Sequence, residues 1–225
     1  MARPKHSILS PKLIAGAALR LVAKHGDFTI PGVAAALGVH PSSLYHHLPG
    51  GRLAIVHRMR EELYADIDLS PALDTSAAPL DRLRLWMWAY RAATARVPAV
   101  VPVLVGAPVE DRRTLEIYEA LFVILRDAGV PVEQRVACSA MVDAIALGSA
   151  MDAASPVPLW RIDGHELPEL RHVAPGDDEQ RAAAGFDLGV EAVVAAVRHL
   201  AADAASDQSA APEANANVSS VCARS

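Results

Sequence analysis

Residues 28–48, FTIPGVAAALGVHPSSLYHHL, have the spacing of a helix-turn-helix. The apolar residues of this stretch fall where two short helices pack across a tight turn; they are Val33, Leu37, Val39, Leu44 and Leu48. Gly38 stands where the first helix must end, because glycine adopts positive φ without a steric penalty. Pro41 suits the first turn of the second helix, where its missing N–H leaves no bond unmade. The stretch therefore predicts a surface helix at about residues 41–47 whose N-terminus is presented to a DNA major groove.

Length and composition indicate a soluble helical protein with room for a core. The chain has 225 residues, of which 52% are hydrophobic and only 4% aromatic. No apolar run approaches the roughly 20 residues that span a bilayer, so we expect no membrane segment. The N-terminal residues MARPKHSILS are basic but lack the apolar stretch of a signal peptide, which favours the cytoplasm. Cys138 and Cys222 make no disulfide framework.

The charge of the chain is divided between its ends. Residues 1–60 contain eight lysines and arginines and one acid, Asp27, which gives them a net charge of +7. The remaining residues carry 13 basic and 25 acidic side chains, so the whole chain has a net charge of −5. Six of the nine histidines also lie in the first 60 residues. A basic module on an acidic body is typical of a protein that presents one end to a polyanion.

Helical spacing recurs along the chain without strand-like alternation or a repeat, and predicts an all-α fold. We divide the chain into a helix-turn-helix head (1–50), a connecting helix (51–68), a C-terminal domain (79–203) and a tail (204–225). The tail is rich in Ala, Ser, Asn and Asp and is expected to be disordered, because it has too little apolar surface to form a core. Residues 154–180 contain four prolines and many charges, and are interpreted as a long loop.

The order of these segments resembles the tetracycline-repressor (TetR) family of bacterial transcriptional regulators. The resemblance lies first in HSILSPKLIAGAALRLVAKHGDFTIPGVAAALGVHPSSLYHHL, which is similar to the N-terminal module of that family. The segments RVPAVVPVLVG, LEIYEALFVILRDAGVPVEQRVACSAMVDAIALGSA and FDLGVEAVVAAV resemble the C-terminal domain of its tetracycline-repressor-like subtype. The resemblance covers about residues 8–201. It implies an N-terminal DNA-binding head and a helical domain for ligand binding and dimerisation.

The resemblance implies a homodimer whose two heads read an inverted-repeat operator, with a small effector that moves the connecting helix and lowers operator affinity. The dimer would form through helices at about 131–153 and 184–202. Both helices are apolar nearly all round, as an interface requires in addition to a core, although a fully buried core helix has the same composition.

The resemblance also implies which residues of the head meet DNA. Positions that touch bases or phosphates in the family correspond here to Thr29, Ser42, Ser43, Tyr45, His46 and His47. We expect Tyr45 and His47 to bind phosphates and His46, the more exposed histidine, to meet a base edge. A histidine that only caps or packs a helix is the alternative for each, and His40 stands where the family often has a helix cap.

Three departures from the family concern the DNA surface. Pro31 stands where a polar contact often opens the first helix of the motif, Gly50-Gly51 replace a polar pair, and the recognition helix has no lysine or arginine. The N–H groups of Gly51 and Arg52 are still expected to bind a phosphate, because the dipole of a helix favours an anion at its N-terminus. The side chains of Arg52 and Lys12 would add positive charge.

The C-terminal domain offers candidates for a ligand pocket. Large or adaptable side chains recur at helical spacing there, a pattern that plain core packing also produces. Charged residues that interrupt apolar helix faces favour a pocket with polar handles for a mostly apolar ligand. The predicted pocket residues are Trp88, Arg91, Tyr118, Phe122, Met141 and Asp143.

Other classes of function find little support in the sequence. His40, His46, His47 and His57 are not accompanied by a metal-ligand spacing, so no metal or other cofactor is expected. There is no nucleophile–base arrangement or phosphate-binding glycine loop, which argues against an enzyme. The expected function is a ligand-responsive repressor. A constitutive DNA-binding regulator whose C-terminal domain only dimerises is the alternative, and a helical enzyme is a more remote one.

Overall fold

The computed structural model describes residues 9–153, 160, 162, 164, 166–173 and 178–210, and these residues form helices and no strands. The predicted all-α fold is confirmed. The helices are α1 (Pro11–His25), α2 (Ile30–Leu37), α3 (Pro41–His47), α4 (Gly51–Tyr64), α5 (Ser70–Leu73), α6 (Pro79–Ala95), α7 (Val101–Val105), α8 (Arg112–Asp127), α9 (Val132–Ala153), α10 (Pro168–His172) and α11 (Asp178–Ala210). A 3-10 turn, Pro98–Val100, precedes α7.

Local signals fix the ends of the first two helices. The Ser10 hydroxyl accepts a hydrogen bond from the Leu13 N–H at 3.3 Å, and Thr29 caps α2 by accepting from the Gly32 N–H at 3.0 Å. Gly38 ends α2 with φ of 66°, in the left-handed region that glycine enters without strain. The two hydroxyl caps fix where α1 and α2 begin, and Gly38 fixes where α2 ends.

The head closes around a small apolar core. Helix α1 packs against α4 and α2, and α2 packs against α3. The buried side chains at the centre come from all four helices and the loop before α2; they are Ile14, Val22, Phe28, Val33, Leu44, Ile55 and Met59. Ala34 is 1% exposed where α2 meets its neighbours, which explains why a small side chain stands there.

The connecting helix α4 belongs to both parts of the molecule. Besides α1, it contacts α6, α7 and α8. Its C-terminal half is buried through Met59, Leu63 and Tyr64, which are each at most 3% exposed. The head is therefore joined to the C-terminal domain by a packed helix.

Helices α6, α8, α9 and α11 form the body of the C-terminal domain, with α9 in contact with α6, α8 and α11. Asp111 caps α8 by accepting from the Thr114 N–H at 2.9 Å. Helices α9 and α11 approach closely at Gly189, where an added Cβ atom would lie 2.7 Å from Cγ2 of Ile145. Helix α9 has the length and composition of a membrane span, with 28% of its most apolar stretch buried.

Two sequence predictions for the C-terminal part need correction. The last helix, expected at 184–202, runs from Asp178 to Ala210, so residues 204–210 continue it rather than begin a disordered tail. The interpretation of 211–225 as disordered lies outside the described residues. The segment 154–180, expected as a loop, contains α10 and the start of α11. Residues 204–210 contain three alanines, and the strong helix preference of alanine outweighs the polar composition there.

Candidate DNA-binding surface and ligand cavity

Helix α3 is held in place by one buried leucine and a histidine cap. Leu44 is 2% exposed and anchors the helix in the core of the head. His40 lies at the N-cap, where its Nδ1 atom accepts from the Ser42 N–H at 3.3 Å and lies 2.8 Å from the Ser42 hydroxyl. With Nδ1 as acceptor, the hydroxyl donates to it and the ring proton resides on Nε2. His40 therefore acts as the helix cap that its position in the sequence suggested.

The predicted recognition residues form one surface on α3. Ser42, His46 and His47 are exposed, Ser43 is half-buried, and Tyr45 is 51% exposed. The Ser42 hydroxyl donates its proton to His40. This bond orients the hydroxyl and leaves only its oxygen lone pairs for a contact with DNA. Thr29 is exposed at the start of α2 while its hydroxyl oxygen accepts the capping bond. Their contacts with DNA stay a prediction.

The Gly50-Gly51 pair makes a turn that other residues would strain. Gly50 has φ of 113° and Gly51 has φ of 61°, so both lie in the left-handed region. A Cβ atom on Gly51 would lie 3.4 Å from Cε1 of Tyr45, so the tyrosine ring sits against this turn. No side chain caps α4 among the described residues, which leaves its first N–H groups available to an anion. The glycine pair thus brings the Tyr45 ring and the start of α4 together.

Arg52 is committed to contacts within the head. Its guanidinium lies 2.6 Å from an Asp27 carboxylate oxygen, donates to the Phe28 carbonyl and stacks 4.3 Å from the centre of the Phe28 ring. The hydrogen bond from Arg52 is the main reason that the pKa of Asp27 is lowered. Asp27 thus offsets the positive charge that the Arg52 side chain is predicted to offer a phosphate, and that role stays a prediction.

Lys12 is not brought into the recognition surface. It lies in the first turn of α1, 3.5 Å from Glu62 near the end of α4, whereas Arg52 and Asp27 lie at the opposite end of these two helices. At about 1.5 Å per residue, the length of α1 separates the two ends by about 20 Å. Sequence spacing gives no sign of this separation, because it depends on the antiparallel packing of α1 and α4.

A cavity of about 490 Å³ lies in the C-terminal domain beside the connecting helix. Its wall comes from α4, α6, α7, α8 and α9; it comprises Arg60, Tyr64, Tyr90, Val101, Leu104, Val105, Ala107, Val109, Thr114, Tyr118, Asp143, Ala144, Leu147 and Gly148. A second cavity, of about 460 Å³, lies against the outer side of α6 near Leu85 and Trp86. We take the first as the candidate ligand site because it combines apolar walls with buried polar groups.

Two of the predicted pocket residues meet in this cavity. The Tyr118 hydroxyl donates to Oδ2 of Asp143 at 2.7 Å. Burial raises the pKa of the Asp143 carboxyl, and burial together with the Asp143 charge raises the pKa of Tyr118. Both shifts have the same cause, since a site away from water penalises the charged form of each group.

Four polar residues of the wall were missed by the sequence reasoning. Tyr64 and Tyr90 are nearly buried, and burial raises the pKa of each phenol. Arg60 is 3% exposed and donates to the carbonyl oxygens of Leu104, Ala107 and Pro108. Thr114 completes the set. A charged residue on the apolar side of α4 was a usable clue to Arg60, whereas the tyrosines resemble ordinary core residues.

Trp88 and Arg91 do not line the cavity. The Arg91 guanidinium lies 5.5 Å from the centre of the Trp88 ring and 4.9 Å from that of Phe186, and its Nε donates to the Ser149 hydroxyl at 2.8 Å. Arg91 therefore stacks where α6, α9 and α11 meet. The charge that interrupts an apolar face here is a packing contact between helices, not a ligand handle.

Phe122 and Met141 also lie away from the cavity wall. Both are half-buried and pack against the hydrophobic core, Phe122 from α8 and Met141 from α9. Met141 precedes Asp143 by two residues and therefore lies on the other side of α9, whereas Phe122 lies one helical turn beyond Tyr118 on α8 and is not part of the cavity wall. The described residues contain no group of three or more His, Cys, Asp or Glu side chains placed to hold a metal ion.

No family profile matches this sequence, and no curated protein matches it. Solved structures do match the fold. A possible TetR family transcriptional regulator from Streptomyces coelicolor A3(2) superimposes with a TM-score of 0.71 at 18% identity, covering 85% of this chain and 100% of its own. Apo ActR from Streptomyces coelicolor gives 0.69 at 14% identity over 91% of this chain and 100% of its own. The chain has the fold of TetR-family regulators.

Two structures of this fold contain small molecules. A TetR variant from Acinetobacter baumannii AYE in complex with minocycline has a TM-score of 0.62 at 18% identity, covering 86% of this chain and 98% of its own. ActR in complex with actinorhodin has a TM-score of 0.68 at 15% identity, covering 87% and 99%. In the TetR fold of the present chain, the recognition surface lies beside the first residues of α4, and the cavity borders its C-terminal half.

Proposed function

We propose that this protein is a ligand-responsive DNA-binding repressor that acts in the cytoplasm as a homodimer on an inverted-repeat operator and is released by a small, mostly apolar effector. One observation carries the proposal: α4 begins beside the recognition surface and supplies Arg60 and Tyr64 to the wall of the cavity. A molecule that binds the cavity better in one arrangement of α4 than in another shifts the position of the head.

Arg60 gives this coupling a physical form. Its guanidinium joins α4 to the carbonyl oxygens of Leu104 in α7 and of Ala107 and Pro108 just after it. Arg60, Leu104 and Ala107 all border the cavity. A ligand that displaces the 104–108 segment must reorient Arg60, because a buried guanidinium that loses its acceptors is costly. The cavity volume falls within the usual range for ligand sites, which favours a responsive regulator over a constitutive one. The complexes of TetR with minocycline and of ActR with actinorhodin also favour a ligand-responsive regulator.

The DNA-binding part is tested by selecting duplexes from a random pool with the purified protein. We expect an inverted repeat whose half-sites are about 10 base pairs apart or a multiple of that distance. In gel-shift titrations with the selected duplex, Tyr45→Ala should weaken binding by about 1–3 kcal/mol. His46→Ala should relax selection at one position of each half-site. His172→Ala, on the exposed α10, is the matched control and should bind as the wild type does.

Recovery of no enriched sequence at low salt would contradict DNA-binding function. Unchanged affinity of Tyr45→Ala, with the wild-type fold retained by circular dichroism, would contradict the assigned recognition surface.

Exposed apolar faces on α9 and α11 support the homodimer. Val132, Val136 and Leu188 are 70%, 69% and 74% exposed, and the exposed Ala140 continues the side of α9 that carries Val136. Such a face needs a partner in water. An interface there also accounts for the low burial of an apolar helix within one chain, without a membrane.

Sedimentation of charge-insertion variants tests this interface. Leu188→Glu should sediment as a monomer at concentrations where the wild type is a dimer, because the carboxylate would be buried without a partner. Leu115→Glu introduces the same charge at a half-exposed leucine of α8 and should remain a dimer. A monomeric wild type, or a dimeric Leu188→Glu variant, would contradict the proposed interface.

A further inference from the structure

The cavity has an aromatic side formed by three tyrosines. The ring centres of Tyr64 and Tyr90 are 5.4 Å apart, and those of Tyr90 and Tyr118 are 6.5 Å apart. All three side chains border the cavity. The faces of aromatic rings carry negative charge density, and they attract cations most strongly where water is excluded.

Asp143 places a carboxylate on the same wall, and one of its two oxygens lacks a hydrogen-bond partner among the described residues. Its Oδ2 accepts from the Tyr118 hydroxyl, while its buried Oδ1 has no hydrogen-bond partner among the described residues. Asp143 also makes no ion pair within this part of the chain. A buried carboxylate oxygen without a donor costs stability in the absence of a ligand. Such a cost at a cavity wall is typical of a group that serves binding.

The other charge on the wall is already satisfied. Arg60 directs its N–H groups to the Leu104, Ala107 and Pro108 carbonyls, so an anionic ligand would have to compete with three acceptors. The same anion would face Asp143. The Thr114 hydroxyl, which is buried and without a hydrogen-bond partner among the described residues, offers one more polar contact that any head group accepts. The charges thus favour a cation over an anion.

We propose that the cavity binds an organic amine with an apolar, aromatic body, whose ammonium group donates to Oδ1 of Asp143 and lies against the tyrosine rings. The cation supplies the missing donor and the missing countercharge together. This inference names the class of effector for the site of the proposed function and rests on that proposal for its regulatory meaning. Binding itself is independent of DNA.

A matched set of probes tests the class of ligand. Biphenyl-4-ylmethylamine, biphenyl-4-ylmethanol and biphenyl-4-carboxylate share one body and differ in charge, and the same three head groups on naphthalene vary the body. We titrate each into the full-length protein at neutral pH by calorimetry. On at least one body, we expect the amine to bind about tenfold or more tightly than the alcohol, a difference of about 1.4 kcal/mol, and the carboxylate to bind most weakly.

Asp143→Asn is the decisive variant. It should reduce amine affinity by about tenfold or more and leave alcohol affinity within about threefold, because only the charge is removed. Asp187→Asn, at an exposed position of α11, is the control and should change neither. Thermal unfolding should show that Asp143→Asn is folded and no less stable than the wild type, since Oδ1 gives up no hydrogen bond.

Equal binding of amine and alcohol, preference for the carboxylate, binding of none of the six probes, or full amine affinity in Asp143→Asn would each overturn the proposal. Measuring release of the operator DNA distinguishes failure of the amine proposal from failure of the proposed regulator function. An amine that binds through Asp143 but leaves the operator complex intact upholds the ligand class and refutes the effector role. If DNA is never bound while amines bind as described, the regulator function fails and the amine site stands.

Discussion

Replacing Gly189 by alanine tests the closest contact between α9 and α11. The new Cβ atom would lie 2.7 Å from Cγ2 of Ile145, whereas ordinary contacts are 3.4–4 Å, so the atoms must separate by at least 0.7 Å. Overpacking of this kind costs about 1–3 kcal/mol. Alanine recovers about 1 kcal/mol through its higher helix propensity. Gly185→Ala lies on the same helix with nothing within 4 Å of the added atom, so it should gain stability from helix propensity without a packing cost.

The difference between the two variants isolates the packing cost, because the propensity gain cancels. We expect Gly189→Ala to be less stable than Gly185→Ala by about 1–3 kcal/mol. In thermal unfolding followed by circular dichroism, each kcal/mol should lower Tm by about 2–4 °C for a chain of this size. Protein concentration must be matched, since dimerisation shifts Tm.

A second variant shows whether Ile145 is responsible. In the double variant Gly189→Ala with Ile145→Ala, the clashing methyl group is absent, so the cost of Gly189→Ala should fall by about 0.5–3 kcal/mol relative to its cost alone. Equal Tm values for Gly189→Ala and Gly185→Ala would refute the close approach of α9 and α11. Strict additivity in the double variant would refute the role of Ile145.

Two further predictions concern the head and the cavity. His40→Ala should lower stability by about 0.5–2 kcal/mol in urea unfolding, because α3 loses its cap, while His40→Asn should restore most of it; equal losses in both variants would contradict capping. For Asp143, burial raises the folded-state pKa above the unfolded value, so the folded protein binds the proton more tightly and stability rises as pH falls through the folded-state pKa. Asp143→Asn should therefore be more stable than the wild type at neutral pH, with a margin that shrinks on acidification in pH-dependent Tm measurements; a margin that grows, or parallel curves like those of Asp187→Asn, would contradict the burial of this carboxyl.

The recognition part of the molecule was largely predictable because its determinants are local. Gly38 ends α2 through its positive φ, Pro41 opens α3, and Leu44 anchors it, and each acts on its own neighbours in the sequence. Gly50 and Gly51 were noted as a departure from the related family. The structure adds the reason, which is a left-handed turn that seats the Tyr45 ring.

The ligand site was only partly predictable because its determinants are distant in the sequence. The charge of Asp143 on an apolar helix face and the large side chain of Tyr118 at helical spacing predict both as pocket residues, and their side chains meet at 2.7 Å. The same reasoning selects Arg91, whose guanidinium stacks on the rings of Trp88 and Phe186 instead of facing the cavity. A polar residue on an apolar face shows that a partner exists. It does not show whether that partner is a ligand or another helix.

The sequence by itself determined the helical fold, the helix-turn-helix and the basic character of the head, since caps, glycines and apolar spacing act over a few residues. Only the tertiary structure decided which charges are available. Asp27 neutralises Arg52, Lys12 lies about 20 Å away along α1, and Arg60 is buried against three carbonyls. Electrostatic partners depend on which helices pack together, and packing joins residues as far apart in the chain as Arg84 and Glu191, which are 107 positions apart.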